Sequence, residues 1–298
     1  MRCSICKKKA VFKNPSYCHE HFIDYIETTV LDTVEQFQLV KKGEKLIVAA
    51  SGGKDSITCL HILSKKYKVE ALAIDEGIKG YREETLEDLK EYCDEHNIRY
   101  HIYSIEEELG YPLDILVRKA KEKPCTVCGA IRRYMINRHA RLLKAKKLAT
   151  GHNLDDEAQA VMMNLFRNQL EISARLGPMT GLIKDKRFIT RVKPLYFLSE
   201  KEITAYTLLK NFSLDYSECP YAGESYRGYV RDLLNDYEQK HPGTKRNIIQ
   251  SFLKQLPVLK EMFATDKSPR LCKECGEPAR QEICRVCKLI LDLKKSTS

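Results

Sequence analysis

The order of apolar and polar positions along the chain predicts alternating strands and helices in its middle part. Residues 46–50 form a continuous apolar run typical of a buried strand, and spaced apolar positions after residue 56 predict a helix. The alternation continues with strands at 69–74, 98–103 and 148–150 and helices at 83–96, 113–121 and 131–143. Such βαβ units are right-handed, so we predict an α/β fold with a parallel sheet covered on both faces.

Further helices are predicted on either side of this core. Apolar residues recur every three or four positions from 22 to 40, which predicts one amphipathic helix ending before residues 41–43. After residue 199, helices are predicted at 201–210, 229–239 and 247–255. Pro257 is expected to end or kink the last of these, with a short helix restarting up to Phe263. Residues 294–298 are expected to be a frayed tail.

The first predicted strand leads into the sequence Ser-Gly-Gly-Lys-Asp-Ser at 51–56. A strand, a glycine-rich turn and a helix N-terminus bring unpaired backbone N–H groups to one point, where they bind phosphate. The motif is not a Walker A loop, which has four residues between its first Gly and Gly-Lys-Ser/Thr. Ligands lie beyond the carboxyl ends of parallel strands, so Ser51, Asp75 and Gly151 are expected to converge.

A second motif, Gly-His-Asn-Leu-Asp-Asp-Glu at 151–157, follows the fourth predicted strand and opens a helix. Gly151 lets a nucleotide approach the backbone. The acidic residues Asp155 and Asp156 have two interpretations, because carboxylates both bind magnesium and cap helix N-termini. Spacing alone does not separate the two.

Twelve cysteines, and an N-terminus with no apolar signal region, indicate metal or redox chemistry in the cytoplasm rather than a disulfide framework. Two short ligand pairs near the N-terminus predict a tetrahedral zinc site, with His19 as a competitor of His21. Two Cys-x-x-Cys pairs near the C-terminus predict a second closed, structural site. The predicted ligands are Cys3, Cys6, Cys18 and His21 at the first site and Cys272, Cys275, Cys284 and Cys287 at the second. Cys59 and Cys93 fall in predicted helices and are expected to be buried.

Three further cysteines stand apart from these pairs. Cys125 and Cys128 form a Cys-x-x-Cys that precedes a basic predicted helix, and Cys219 lies alone before a proline. A redox dithiol does not need Cys219, and a zinc site lacks a fourth ligand at short spacing. Three thiolates suit a [4Fe–4S] cluster with one iron open to another ligand. The residues leave the cluster, zinc and persulfide interpretations open.

The charge is concentrated next to these cysteines. The chain has a net charge of +10, and residues 118–147 alone contain eleven Lys or Arg and one acid, Glu122. This stretch is a candidate track for nucleic-acid phosphates. The aromatic residues that would stack on unpaired bases are Tyr134, Tyr221, Tyr226 and Tyr229. With no apolar run of about 18 residues, we expect no membrane-spanning helix.

The 51–56 loop resembles the PP-loop of ATP pyrophosphatases. With the Gly-His-Asn motif, the three separate cysteines and both terminal ligand sets, nearly the whole chain resembles the tRNA 2-thiouridine synthetases of the TtuA and NcsA group. The resemblance implies a PP-loop (Rossmann-like) core, two structural zinc ions, a [4Fe–4S] cluster on Cys125, Cys128 and Cys219, and a homodimer. It also implies ATP and Mg²⁺, with tRNA as substrate and sulfur delivered as sulfide or by a ubiquitin-like protein thiocarboxylate. The implied ATP ligands are Ala50, Ser51, Gly52, Gly53, Lys54, Asp55, Ser56, Ile74, Arg132, Gly151 and Asp156.

The resemblance implies activation of a uridine C2 oxygen by adenylation, with Lys54 and magnesium balancing pyrophosphate charge, followed by replacement with sulfur. Catalytic roles would fall to the three cysteines and to Asp55 and Asp156. Arg132 departs from relatives that have Lys there, so its ATP role is less secure. The wobble uridine is the favoured target. The alternatives are the T-loop uridine, persulfide chemistry without a cluster, an amidating PP-loop synthetase and a non-enzymatic zinc-ribbon RNA-binding protein.

The same pattern divides the chain into five parts. We expect a zinc finger at 1–22, a linking helix at 23–43 and the catalytic domain at 44–220. A helical tRNA-binding extension at 221–266 and a zinc ribbon at 267–298 complete the chain.

Overall fold

The computed structural model describes residues 1–120, 122–182, 185, 187–214, 219–221, 226–264 and 269–297. Two predicted boundaries, the helix end at residue 121 and the domain limit at 266–267, lie outside these ranges, as does the last residue of the predicted tail. No helix in the described ranges has the length and apolar character needed to cross a membrane.

The main sheet has five parallel strands in the order β3-β2-β1-β4-β5. The strands are β1 (Leu46–Ala49), β2 (Val69–Asp75), β3 (Tyr100–Ser104), β4 (Lys147–Thr150) and β5 (Thr190–Val192). The first four match the predicted strands. The short fifth strand was not predicted, because three residues with a central arginine give no apolar run.

Twelve helices are assigned in the described residues. They are α1 (His19–Gln36), α2 (Lys54–Ser64), α3 (Arg82–Glu95), α4 (Ile105–Leu109), α5 (Leu113–Lys119), α6 (Pro124–Leu142), α7 (Leu154–Phe166), α8 (Leu170–Ser173), α9 (Glu200–Leu209), α10 (Tyr226–Lys240), α11 (Thr244–Met262) and α12 (Arg285–Thr297). A two-stranded ribbon, β6 (Arg270–Leu271) and β7 (Pro278–Ala279), precedes α12. The predicted parallel α/β architecture is therefore confirmed.

Successive side chains of a strand point to opposite faces of the sheet, and helices cover both faces. Leu46 and Val48 of β1 point into a core shared with α1, α2, α3 and α9. Ile47, between them, points to the opposite face and packs with Leu72 of β2 and Leu148 of β4 against α6. The carboxyl ends of β1, β2 and β4 lie side by side, which is where parallel sheets bind ligands.

Four predicted boundaries or interruptions are wrong. Helix α1 ends at Gln36, because the apolar residues that follow are buried in a turn, where the Leu39 N–H bonds the Val34 carbonyl. Helix α11 continues through Pro257, since its apolar face packs against α7 and α10. The predicted C-terminal tail is helical up to Thr297.

Helix α6 begins at Pro124 instead of residue 131. Proline is favoured in the first turn of a helix because its missing N–H would be unpaired there. Cys125 and Cys128 therefore lie within the first turns of the basic helix, three residues apart on the same side, and do not precede it.

Candidate active site at the carboxyl ends of the strands

A cavity of about 350 Å³ opens where β1, β2 and β4 end. Its floor is formed by apolar side chains of the sheet, and its walls come from the 51–56 loop, the start of α7 and helix α6. Eight of the eleven predicted ATP ligands line it, and these include both candidate catalytic aspartates: Ala50, Ser51, Asp55, Ser56, Ile74, Arg132, Gly151 and Asp156. Of the three residues predicted to converge, Ser51 and Gly151 line the cavity, whereas Asp75 does not.

The 51–56 loop is closed by hydrogen bonds from its two serines. The Ser51 backbone N–H donates to Ser56 Oγ at 3.0 Å, and Ser56 Oγ donates to the Gly53 carbonyl at 2.9 Å. Gly53 is the N-cap of α2. The helix therefore begins directly at the turn, which leaves its first N–H groups available for an anion.

Two glycines are required by close backbone contacts. Gly52 has φ +86°, and a Cβ there would lie 1.8 Å from the carbonyl oxygen of Thr85 in α3. A Cβ on Gly151 would lie 2.8–2.9 Å from backbone atoms of Asp55 and Ser56. These contacts hold the loop between α3 and the residue after β4.

A buried ion pair that the sequence analysis missed fixes the loop to the end of β2. Arg82, at the start of α3, donates to the carbonyl oxygens of Ile74 at 2.7 Å and Ser51 at 2.5 Å. Its Nε lies 2.7 Å from the carboxylate of Glu76, which also faces Arg132 at 3.0 Å. The available signals were an acid directly after a strand and an arginine on the buried side of a helix.

Asp55 and Asp156 lie on opposite sides of one asparagine. The Asn153 side chain donates to Asp55 at 3.1 Å, and Asn153 and Asp156 form a capping box at the start of α7. Burial raises the pKa of Asp55, and the nearby Asp156 adds to the rise while Lys54 opposes it. Two carboxylates that line the same cavity are suitable ligands for a divalent cation. Asp156 thus caps the helix and faces the cavity, where it also pairs with Arg227 at 2.8 Å.

Asp155, the other acid of the motif, has a structural role. It is buried, accepts a hydrogen bond from the backbone N–H of Glu200 at 2.8 Å and pairs with Lys245 of α11. Lys54, the predicted pyrophosphate ligand, lies between Asp55 at 3.2 Å and Glu200 at 2.9 Å. Lys54, Gly52 and Gly53 are not among the residues lining the cavity.

The three separate cysteines are close together next to this site. Cys125 Sγ donates to the carbonyl oxygen of Tyr221 at 3.1 Å, which holds the segment carrying Cys219 against the start of α6. Burial raises the pKa of Cys128 to about 11, against the opposing effect of Arg132. Burial also raises the pKa of Cys219, with a further contribution from Cys125.

The donor set fits an iron–sulfur cluster better than a single zinc ion. Among the described residues, two groups of Cys, His or acidic side chains have ligand atoms within 4.8 Å of one another, and both are the terminal sets. Cys125, Cys128 and Cys219 are not spaced so tightly. A cubane cluster requires wider spacing, because each thiolate binds a different iron, and three soft sulfur ligands suit it.

The N-terminal ligand set has the geometry of a closed tetrahedral site. The Nδ1 atom of His21 lies 3.4 Å from Cys3 Sγ and 3.3 Å from Cys18 Sγ, and Cys6 Sγ lies 3.6 Å from Cys18 Sγ. Ligands about 2.3 Å from a tetrahedral zinc stand about 3.8 Å apart. His19 is instead 3.2 Å from the carbonyl oxygen of Leu209.

The C-terminal set has the same arrangement with four thiols. Cys275 and Cys284 Sγ atoms are 3.8 Å apart, and the backbone N–H of Cys284 donates to Cys272 Sγ at 3.1 Å. The N–H of Cys287 donates to Cys284 Sγ at 3.4 Å. Such N–H···S bonds stabilise thiolates that bind a metal.

The basic stretch at 118–147 is partly neutralised by acids from elsewhere in the chain. Arg132 pairs with Glu76, and Arg141 pairs with Glu277 of the C-terminal module. The one acid of the stretch, Glu122, pairs instead with Arg285 of that module. Exposed lysines such as Lys144 remain on its surface. The stretch therefore combines a protein contact with a smaller free positive surface than its sequence indicates.

The four candidate stacking tyrosines are not equivalent. Tyr134 and Tyr221 are partly buried, and the Tyr221 hydroxyl donates to Asp114 at 2.6 Å. The Tyr226 ring is covered by the guanidinium of Arg167 at 3.9 Å. Tyr229 is 68% exposed and has a face free for stacking.

Comparison with known proteins identifies the family. Residues 26–235 match the PP-loop domain model. The chain is 37% identical over 293 residues to the tRNA-5-methyluridine(54) 2-sulfurtransferase of Pyrococcus horikoshii, covering 97% of this chain and 93% of that protein. It is 32% identical to the tRNA 2-thiolation protein NcsA of Haloferax volcanii, with 97% and 98% covered. The chain belongs to the tRNA 2-thiolation proteins of the PP-loop family.

A solved structure of this family extends the match to the fold. The U34-tRNA thiolase NcsA of Methanococcus maripaludis, solved with its [4Fe–4S] cluster, superposes with a TM-score of 0.82 at 32% identity. The match covers 98% of this chain and 96% of that protein. The family and the PP-loop α/β core predicted from the sequence are both confirmed.

Proposed function

We propose that this protein is an ATP-dependent tRNA 2-thiolase. The observation that carries the proposal is that one helix, α6, links two chemical sites. Its first turns carry the thiols Cys125 and Cys128, and the following turns place Gly129 and Arg132 in the wall of the PP-loop cavity. Nucleotide activation and sulfur transfer then take place side by side.

The C2 carbonyl oxygen of uridine is a poor leaving group, so it has to be activated before sulfur can replace it. The C2 oxygen of a uridine attacks the α-phosphorus of ATP, and pyrophosphate leaves. Sulfide then attacks C2, and the former carbonyl oxygen departs with AMP, so no net oxidation or reduction occurs. The 51–56 loop binds the departing pyrophosphate through the N-terminal N–H groups of α2. Asp55 and Asp156, on either side of Asn153, bind Mg²⁺ that balances its charge.

Two cationic residues, Lys54 and Arg132, are paired with acids near the cavity and contact the nucleotide in different ways. Lys54 has to leave Glu200, on the exposed side of α9, to reach the pyrophosphate. Arg132 is held by Glu76 at the cavity wall and presents the rest of its guanidinium to the nucleotide.

The remaining groups divide by ligand type. Cys125, Cys128 and Cys219 hold the [4Fe–4S] cluster, which supplies an iron with a free position for the incoming sulfide. The two terminal sets bind structural Zn²⁺, because all four positions of each are filled by protein ligands. We retain the five-part division of the chain, with the matched PP-loop domain supporting its central part.

The partners follow from the same chemistry. The substrate is tRNA, bound by the exposed part of the basic stretch and by Tyr229. Sulfur comes from sulfide or a ubiquitin-like thiocarboxylate, and the active form is a homodimer. A relative from Laccaria bicolor, 35% identical over 307 residues, is named a cytoplasmic tRNA 2-thiolation protein, which supports the same compartment here.

Two tRNA positions are candidates for the target. The structural match to a U34-tRNA thiolase supports the wobble uridine. The 37% identity to a tRNA-5-methyluridine(54) 2-sulfurtransferase supports the T-loop. Mass-spectrometric mapping of 2-thiouridine in tRNA from a deletion strain separates them, since the thiolated nucleoside disappears from one position.

We expect the purified protein to convert ATP to AMP and pyrophosphate only when unmodified tRNA is present. The reason is that the attacking oxygen belongs to the base, so nucleotide cleavage waits for it. Product analysis by anion-exchange chromatography, with and without tRNA, measures this. Formation of ADP and phosphate contradicts the proposal, and absence of nucleotide binding favours a non-enzymatic RNA-binding protein.

Cys219→Ala is expected to remove the cluster iron and leave both zinc ions in place. The thiol of Cys219 is one of three ligands, whereas the terminal sets are complete without it. Metal analysis of anaerobically purified protein measures both metals. Cys93→Ala, a buried cysteine of α3 outside every ligand set, is the control and should keep iron and zinc. Iron retained in Cys219→Ala refutes the ligand assignment, and wild-type protein without iron favours the persulfide route.

A further inference from the structure

Two arginines that the proposed function does not use line the same cavity as the 51–56 loop. Arg191 of β5 is in register with Leu148 of β4, so its side chain lies on the same face of the sheet. That face is the one covered by α6. Arg133 of α6 lines the same cavity as Arg191. The strand and the helix therefore bring two guanidinium groups together that are 58 residues apart in sequence.

These arginines lack the carboxylate partners that the other arginines of the cavity have. Arg82 and Arg132 both pair with Glu76. Within the described part of the chain, neither Arg133 nor Arg191 forms a side-chain hydrogen bond or an ion pair. Burial, together with the positive charge of Arg133, lowers the pKa of Arg191 to about 10. Like charges held together in a cavity are unfavourable unless an anion joins them.

The local backbone makes room for this arrangement. Gly129 follows Cys128 directly, and a Cβ at Gly129 would lie 3.1 Å from the Nη1 atom of Arg133. The glycine thus lets the Arg133 guanidinium lie back along α6 towards the thiols. Arg191 lies on β5, and the next residue of that strand, Val192, is fully buried.

We propose that Arg133 and Arg191 form a second phosphate subsite, separate from the pyrophosphate-binding loop. Guanidinium groups bind phosphate oxygens through paired N–H donors, which a phosphate between two arginines satisfies. This subsite rests on the proposed function, in which two other phosphate groups enter the cavity. One is the α-phosphate of ATP, which becomes the phosphate of the adenylate. The other is the RNA backbone phosphate beside the target uridine.

The strand order supports a separate location. The loop follows β1, whereas Arg191 is on β5, two strands away in the sheet. Adjacent strands are about 4.8 Å apart, so the backbone of β5 lies on the order of 10 Å from that of β1. The Arg191 side chain spans part of this distance, because it lines the same cavity as the loop. A nucleotide whose pyrophosphate is held at β1 extends its remaining phosphate or its RNA partner towards β5.

The test uses the full-length protein with Arg133→Gln, Arg191→Gln and the control Lys68→Gln. Lys68 is an exposed lysine directly before β2, outside both the cavity and the basic stretch, so its loss changes the net charge equally. Affinities are measured for ATP, AMP, adenosine and an unmodified tRNA transcript. Loss of a charged hydrogen bond to phosphate is expected to weaken binding about tenfold.

The two sources of phosphate give different results. If the subsite binds the α-phosphate, both glutamine variants bind ATP and AMP about tenfold more weakly and adenosine unchanged. If it binds RNA, tRNA affinity falls and the slope of log affinity against log salt decreases by about 1, with nucleotide affinity unchanged. Arg191→Lys should recover part of either loss because it keeps the charge.

One result overturns the subsite. If wild-type protein binds ATP and tRNA and both glutamine variants match Lys68→Gln in every affinity, Arg133 and Arg191 bind no phosphate. This is distinct from failure of the proposed function, in which the wild type itself binds no ATP. Arg133 is exposed, so its variant remains a fair test even if Arg191→Gln fails to fold.

Discussion

Gly52→Ala is expected to abolish ATP binding, whereas Gly53→Ala, one residue further on, leaves it nearly unchanged. Gly52 has φ +86°, and a Cβ there would lie 1.8 Å from the Thr85 carbonyl oxygen. Gly53, with φ −74°, would bring a Cβ no closer than 3.6 Å to the Ser51 hydroxyl. Two adjacent glycines in one loop therefore make opposite predictions.

The size of the effect comes from two additive causes. A non-glycine residue in the left-handed region costs about 1–2 kcal/mol. The contact at Gly52 is with backbone of α3, so it is relieved only if the loop moves off that helix. Movement also breaks the bond from Arg82 to the Ser51 carbonyl. We expect ATP affinity to fall more than about 100-fold, which corresponds to roughly 2.8 kcal/mol.

Isothermal titration with ATP measures both variants. Zinc content serves as the folding control, since both terminal sets lie outside the loop and should retain their metal. Gly53→Ala is expected to bind within about threefold of wild type, a difference under 1 kcal/mol. Equal affinity of Gly52→Ala and wild type would mean that the loop does not adopt this conformation when nucleotide binds.

The sequence predicted those parts of the fold that have a repeating or contiguous signal. The first four strands are four to seven residues long and contain consecutive or alternating apolar residues, and α3 and α7 show the helical period. Strand β5 carries no such signal, because Arg191 interrupts it at the position where the chain pairs with β4. Its existence depends on the neighbouring strand, which pattern analysis does not include.

In the site, too, contiguous motifs were predictable and contacts between distant residues were not. The 51–56 loop and the 151–157 motif are contiguous, so their chemistry is visible in the sequence, and both reach the cavity. Glu76 and Arg82 are single charged residues whose function arises only when β2 and α3 bring them together. The 51–56 motif predicts a phosphate site, but the buried pair that holds the loop in place requires the structure.

The site formed by Cys125, Cys128 and Cys219 was predictable only in part. Spacing identified Cys125 and Cys128 as a pair and left their metal open. The structure adds that the segment with Cys219 contacts α6 through Tyr221, whose carbonyl accepts from Cys125. A sequence separation of 96 residues hides that contact, since no short motif spans it.

Removing the carboxylate of Glu76 is expected to destabilise the fold and the nucleotide site together. The Arg82 and Glu76 side chains are 4% and 7% exposed. Glu76→Ala leaves the guanidinium of Arg82 buried without its counter-charge, which typically costs about 3–5 kcal/mol. Arg82 also holds the carbonyl oxygens of Ser51 and Ile74, so its displacement loosens the loop and weakens ATP binding.

Thermal unfolding and ATP titration of Glu76→Ala measure the two consequences. The control is Glu20→Gln, which removes one partner of the exposed Lys8–Glu20 pair and should leave the melting temperature unchanged. Adding Arg82→Met to Glu76→Ala removes the unpaired charge, so the double variant is expected to be more stable than the sum of the two single losses predicts. It should still bind ATP poorly, because no guanidinium is left to hold the loop. A double variant whose stability loss equals that sum would contradict the buried ion pair, and one that binds ATP normally would show that the loop is positioned without Arg82.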